Sequence, residues 1–170
     1  LADEVRRFEN HLSTGFVGTP YLCHVLSRFG YLDLAYAVLE TETWPGWLYT
    51  VTHGATTMWE RWDSIRPNGE FGNVSMNSFN HYAYGAIGDW LYQVVAGLNV
   101  DPMAPAYKRA RIAPQPGGTL TWARASHASP YGSLESAWTL QEGGFALEVV
   151  VPPNSEGVVC LPAGAIRDVT

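Results

Sequence analysis

The sequence predicts a chain in two parts. The first is a set of helices from a layered all-α architecture such as a helical barrel; the second is an antiparallel β-sandwich, small or incomplete. Three observations predict this. Up to Asp101-Pro102, apolar residues recur at three- and four-residue spacing. After Pro105 the period shifts to two. The helices are joined by stretches rich in Gly, Pro and Trp. The expected domains are therefore residues 1–102 and residues 103–170.

The elements follow in order. Ala2 to Phe8 opens in a helix-like pattern. Thr19-Pro20 starts a helix with Tyr21, Leu22, Val25, Leu26 and Phe29 as its apolar positions. Proline sits in its first turn and Gly30 just past its end. Asp33 is the expected N-cap of the next helix, 34–40. Trp44-Pro45-Gly46-Trp47 breaks the pattern. A third helix is expected from about Ser78 to Ala96, closed by Gly97. Gly85 and Gly88 interrupt it, at up to about 1 kcal/mol each, which predicts close approach of a neighbouring backbone. Four extended segments follow: Leu120–Ser126, Leu134–Leu140, Phe145–Val151 and Val158–Leu161. Glu142-Gly143-Gly144 turns the second into the third, and Pro152-Pro153-Asn154 stops the third.

Composition excludes several classes of function. The net charge is −6, with no basic cluster to follow a nucleic-acid backbone. No apolar run approaches the ~20 residues of a membrane helix. Cys23 and Cys160 lie far apart, and neither a disulfide nor zinc-ligand spacing is expected of them. His11, His24, His53 and His127 show no metal spacing, so no metal or cofactor is expected. The chain starts at Leu1 and ends at Val169-Thr170 without a stop signal, and is expected to be a piece of a longer polypeptide.

The chemistry concentrates in Gly54-Ala55-Thr56-Thr57-Met58-Trp59-Glu60-Arg61-Trp62-Asp63. A carboxylate between tryptophans suits a sugar site: indole faces stack on sugar rings, and the carboxylate activates water or holds hydroxyls. The plain alternative for Glu60 is a surface ion pair with Arg61. In a helical turn Trp59 and Trp62 would share a face that excludes Glu60; in an extended loop Trp59 and Glu60 would diverge; either way Glu60 can face a polar cavity that an indole walls. A second cluster follows, Asn77-Ser78-Phe79-Asn80-His81-Tyr82-Ala83-Tyr84-Gly85. A neutral His81 near a helix start both donates and accepts, as sugar hydroxyls require, although such a histidine is often only structural. Asn77 and Asn80 are candidate helix caps, and Asn80 is also a candidate sugar contact. A glycosidase needs two carboxyl groups. Asp63, Glu70 and Asp89 are the remaining candidates nearby, each with the context of a solvated loop or helix face. Asn73-Val74-Ser75 matches a short glycosylation sequon.

These segments together resemble a known family. Ser13-Thr14-Gly15-Phe16-Val17-Gly18-Thr19-Pro20-Tyr21-Leu22, Asp33-Leu34-Ala35-Tyr36, Trp44-Pro45-Gly46-Trp47, the 54–63 segment and Met76–Gly85 look like the C-terminal part of bacterial α-L-rhamnosidases of glycoside hydrolase family 78. Ile112-Ala113-Pro114, Tyr131-Gly132, Trp138 and Val151-Pro152-Pro153-Asn154 look like that family's C-terminal β-domain. The resemblance implies the closing helices of an (α/α)6 barrel followed by an appended, here incomplete, β-sandwich. It implies hydrolysis of terminal α-linked L-rhamnose with inversion, on rhamnose-containing glycosides or polysaccharides. It makes Glu60 the general base and His81 a contact to the bound sugar, with Trp59, Trp62 and Asn80 as further candidate contacts. The general acid and most sugar-stacking tryptophans would lie in an upstream segment of the same polypeptide. Two alternatives stand beside it: another (α/α)6-barrel glycosidase acting on a different sugar, and a non-catalytic sugar-binding or structural module.

Overall fold

The computed structural model describes residues 1–162, so the end of the expected β-domain, 163–170, lies outside the described residues. The chain divides into two compact units, 1–88 and 89–170.

In the first unit, helix α1 spans Ala2–Arg7, with Asp3 and Glu4 in its first turn and Arg6 and Arg7 in its last. That order of charge complements the helix dipole. Helix α2, Thr19–Arg28, buries Thr19, Leu22, Cys23 and Leu26 along one stripe. Helix α3, Leu32–Leu39, packs against it and buries Leu34, Ala35, Tyr36 and Val38. Between them Gly30 takes φ +86°, and the Tyr31 N–H donates to Leu26 O at 2.8 Å. The turn is complete at Tyr31, so α3 starts there and Asp33 is a first-turn acid, not the expected N-cap. Burial pushes the Cys23 thiol up to about 12. Iodoacetamide at pH 8 is therefore expected to spare Cys23 in the folded protein and to label it only with denaturant, as peptide mass mapping would show.

Helix α4, Trp47–Thr52, follows the cis Trp44–Pro45 bond. A Cβ on Gly46 would lie 2.8 Å from Thr41 O, so only glycine lets the chain pass there. The Leu12 N–H donates to Pro45 O at 3.1 Å, tying the turn to the loop before α2.

The long helix expected from Ser78 to Ala96 is shorter and not uniform. Ala83–Ala86 is a 3-10 turn, Ile87–Trp90 (α5) is α-helical and Leu91–Val95 is a π turn. Residues 78–82 stay outside it because their backbone groups are committed elsewhere, as the site below shows. Asn77 and Asn80 therefore cap no helix. The expected close approach at the two glycines is also absent among the described residues. The nearest atom to a Cβ on Gly85 is Met58 Cε at 4.0 Å, and Gly88 has nothing within 4 Å.

Among the described residues, the second unit holds two three-stranded sheets. One joins β1 (Leu98–Val100), β2 (Arg109–Ile112) and β6 (Glu156–Val159), in the order β1-β2-β6. The other is an antiparallel meander of β3 (Trp122–Ser129), β4 (Gly132–Gln141) and β5 (Gly144–Val150). The period of two places Leu134, Ser136 and Trp138 inward on β4, facing Val149 and Leu147 of β5. Ala110 and Ile112 of the first sheet join Ala125 and Leu134 of the second in one buried cluster with Ala96 and Leu98, as in a sandwich. One pair departs from the antiparallel expectation: β2 and β6 run parallel. They are distant in sequence, so no hairpin dictates their direction.

The helical run ends with its carbonyls provided for. Val94 O accepts from the Gln115 N–H at 3.0 Å, Val95 O from the Trp138 indole N–H at 2.7 Å, and Ala96 O from Ser136 Oγ at 2.7 Å. These are the groups a helix end leaves orphaned. Gly97 closes the run at φ +77°, and a Cβ there would lie 2.0 Å from Pro114 N. Gly97→Ala combines left-handed strain with a backbone overlap and is expected to cost more than about 2 kcal/mol, read as a lower urea midpoint of the β-unit.

Candidate active site

The two clusters read from the sequence are bonded to each other through the backbone. The Glu60 N–H donates to Ser78 O at 2.9 Å, and the His81 N–H donates to Met58 O at 2.8 Å. Thr57 Oγ1 donates to Phe79 O. Residues 58–60 are thus tied through the backbone to 78–81, which is why no helix starts at Ser78. Trp59 is 4% exposed and packs edge-on against Phe79, with ring centres 5.5 Å apart. Glu60, its neighbour, lines an open cleft of about 590 Å³.

The cleft is walled by Leu12–Phe16, Trp44–Pro45, Glu60–Asp63 and Tyr84. Arg61 does not pair with Glu60, as the plain alternative required. Its Nε sits 3.0 Å from Asp63 Oδ1. Among the described residues nothing hydrogen-bonds or ion-pairs with the Glu60 carboxylate, which leaves its lone pairs free for a water or a hydroxyl. Trp62 stacks on Tyr84 at 3.9 Å and meets Trp47 edge-on at 5.6 Å. Its indole N–H is buried without a hydrogen-bond partner among the described residues. Burial raises the Tyr84 phenol above its ordinary range, with the Arg61 charge opposing the shift, so Tyr84 keeps its proton at neutral pH.

His81 adjoins the cleft through Phe16, which lines it. The two rings stack with centres 4.8 Å apart and planes 13° apart. The Ala83 N–H donates to His81 Nδ1 at 3.3 Å. In a neutral ring the proton is then on Nε2. Asn80 is exposed and outside the cleft lining, and its N–H bonds to Ser78 Oγ at 3.1 Å. Asn77 serves the fold: its side-chain oxygen lies 2.8 Å from Oγ of the fully buried Ser64.

Of the candidate second carboxylates, Asp63 reaches the cleft with Glu60, while the Glu70 carboxylate accepts from the Asn68 amide and that of Asp89 from the Gln93 amide, both exposed. Among the described residues no three His, Cys, Asp or Glu side chains could hold a metal ion. Sequence reasoning assigned no role to Phe16. The available signal is an aromatic residue in a Ser/Thr/Gly loop, off any helical stripe.

Comparison with known proteins places the chain. Residues 1–95 match the family model described as the bacterial alpha-L-rhamnosidase 6 hairpin glycosidase domain, and residues 97–170 match that of the bacterial alpha-L-rhamnosidase C-terminal domain. The alpha-L-rhamnosidase of Streptomyces avermitilis is 50% identical over 153 residues, covering 90% of this chain and 15% of that protein. The alpha-L-rhamnosidase of an Alteromonas species is 43% identical over 155 residues, covering 91% of this chain and 17% of that protein. The crystal structure of the Streptomyces avermitilis alpha-L-rhamnosidase complexed with L-rhamnose superposes with a TM-score of 0.91 at 46% identity, over 96% of this chain and 16% of that one. The alpha-L-rhamnosidase of Aspergillus terreus gives 0.91 at 41% identity, over 95% of this chain and 19% of that one. The chain thus spans under a fifth of the length of these relatives. The two matched segments cover nearly the whole chain, and the chain belongs to the bacterial α-L-rhamnosidase family.

Proposed function

We propose that this chain carries the general-base half of an inverting α-L-rhamnosidase site acting on rhamnose-containing glycosides or polysaccharides. The observation that carries the reading is the Glu60 carboxylate, unpartnered among the described residues, in a cleft walled by Phe16, Trp44, Trp62 and Tyr84. In an inverting reaction a base deprotonates water on one face of the sugar while an acid protonates the leaving oxygen on the other, across about 6.5–9.5 Å. Glu60 takes the base role. His81 contacts the sugar as a donor, through Nε2–H, and Trp62, whose indole N–H is buried, forms part of the cleft wall. Trp59, buried in the fold, is left out of the contact set, and His81, itself outside the cleft lining, is kept because it stacks on the lining residue Phe16.

Asp63 is the other carboxylate in the cleft, and its pairing with Arg61 engages it as an acceptor. The general acid is therefore assigned to an upstream part of the same polypeptide. The base lies in the helical part, read as 1–102, ahead of the β part, read as 103–170.

Two expected results test this. The purified 170-residue chain alone should release no rhamnose from an aryl α-L-rhamnoside; measurable release would place a complete acid–base pair within it. In the full-length protein, the first sugar anomer seen by proton NMR should be the β form, and an initial α form would overturn the inverting assignment. Separately, His81→Ala should weaken binding of free L-rhamnose about tenfold by calorimetric titration, the scale of one hydrogen bond to a buried polar group.

A further inference from the structure

We propose that Phe16 is a positioning residue for His81, holding its imidazole at the angle from which Nε2–H reaches the sugar. This rests on the reading of His81 as a sugar contact.

The histidine ring is held on three sides. Phe16 stacks on it at 4.8 Å and 13°. Tyr82 lies nearly parallel at 5.4 Å and 14°. The Ala83 N–H bonds to Nδ1 in the ring plane. The backbone hydrogen bond sets which nitrogen carries the proton, and the stacked rings set the plane in which that N–H points. Tyr82 is the least confined of the three, at 88% exposed. Phe16 is 42% exposed and has a second hold, an edge contact to Tyr84 at 5.0 Å and 60°, and Tyr84 in turn stacks on Trp62. Among the described residues, only Phe16 both stacks on His81 and belongs to the cleft wall that Glu60 shares. It therefore registers the histidine against the rest of the site.

A positioning role has a signature that simple packing lacks: its effect disappears when the positioned group is removed. The test is a double-mutant cycle in the full-length protein, read as Kd for L-rhamnose by calorimetric titration. Phe16→Ala is expected to weaken binding about three- to tenfold in the native background, the scale of an aromatic pair, and less than about twofold in the His81→Ala background. Phe16→Tyr, which keeps the ring, should bind like the native protein, and Phe16→Leu, which keeps bulk without a stacking face, should lose affinity as Phe16→Ala does. Leu also serves if the alanine variant fails to fold. Equal losses in both backgrounds would overturn the proposal while leaving His81 as a sugar contact. Native affinity in Phe16→Leu would overturn it too. If His81→Ala alone changes nothing, the reading of His81 fails and the proposal with it.

Discussion

Glu60→Gln in the full-length protein is expected to lower kcat on an aryl α-L-rhamnoside by about 10²–10⁴-fold, the usual contribution of a positioned base, with L-rhamnose affinity within about threefold of native. The substitution keeps the shape while removing the charge and the ability to take a proton from water, with one acceptor oxygen replaced by a donor amide. The geometry supports a clean result. The Glu60 backbone is held by Ser78 O, so the amide stays where the carboxylate was. No ion pair to Arg61 is broken, because Arg61 is engaged with Asp63. The loss should appear in kcat and kcat/KM alike, as for an interaction made in the transition state. Glu60→Asp, which withdraws the carboxylate by one methylene, should fall between the two. A near-native kcat in Glu60→Gln would remove Glu60 from the base role.

The second large effect is on stability. Trp138 is 1% exposed and donates its indole N–H to Val95 O at 2.7 Å. Trp138→Ala removes a large buried ring and leaves a cavity, at about 3–5 kcal/mol. Trp138→Phe keeps most of the apolar contact but orphans the Val95 carbonyl, at about 1–3 kcal/mol. In a unit of this size each kcal/mol moves a melting midpoint by about 4–8 °C. The alanine variant should therefore melt more than about 10 °C lower, with phenylalanine between it and native. A shift below about 3 °C for alanine would show that the indole is not the anchor of that helix end.

The sequence announced the parts whose signal is local. Period two gave β3 to β5 within a few residues, because both faces of that meander are set by its own side chains. The α2–α3 hairpin was legible from Thr19-Pro20 and Gly30 for the same reason. What failed was non-local. Ser78–Tyr82 has helix-like spacing, but its carbonyl and amide groups pair with Met58 and Glu60, and backbone pairing across the chain overrides propensity. Strands β1 and β2 are short, and β2 carries Arg109 and Arg111 on its outer side. Its partner β6 is far along the chain. At the candidate site, the motifs singled out Glu60 and His81, whose segments the backbone ties together. Phe16 was not, because nothing in its neighbours reveals that it meets His81.

The backbone exchange between 58–60 and 78–81 has a consequence for tolerance to change. The chain between these clamps leaves as Arg61–Ser64 and returns as Asn77, with Ile65 bridged to Phe71 at the neck of a hairpin. Beyond the neck, Arg66–Glu70 is closed by its own bonds, Arg66 N–H to Glu70 O at 2.8 Å and Gly69 N–H to Arg66 O at 2.8 Å. Extra residues at this exposed tip lengthen a loop already closed at its base, where each doubling of length costs only about 0.6 kcal/mol. Length there is thus nearly independent of the geometry of Glu60 and His81. The tip is a place where this scaffold can accept inserted sequence, by descent or by engineering, without disturbing the carboxylate that faces the cleft.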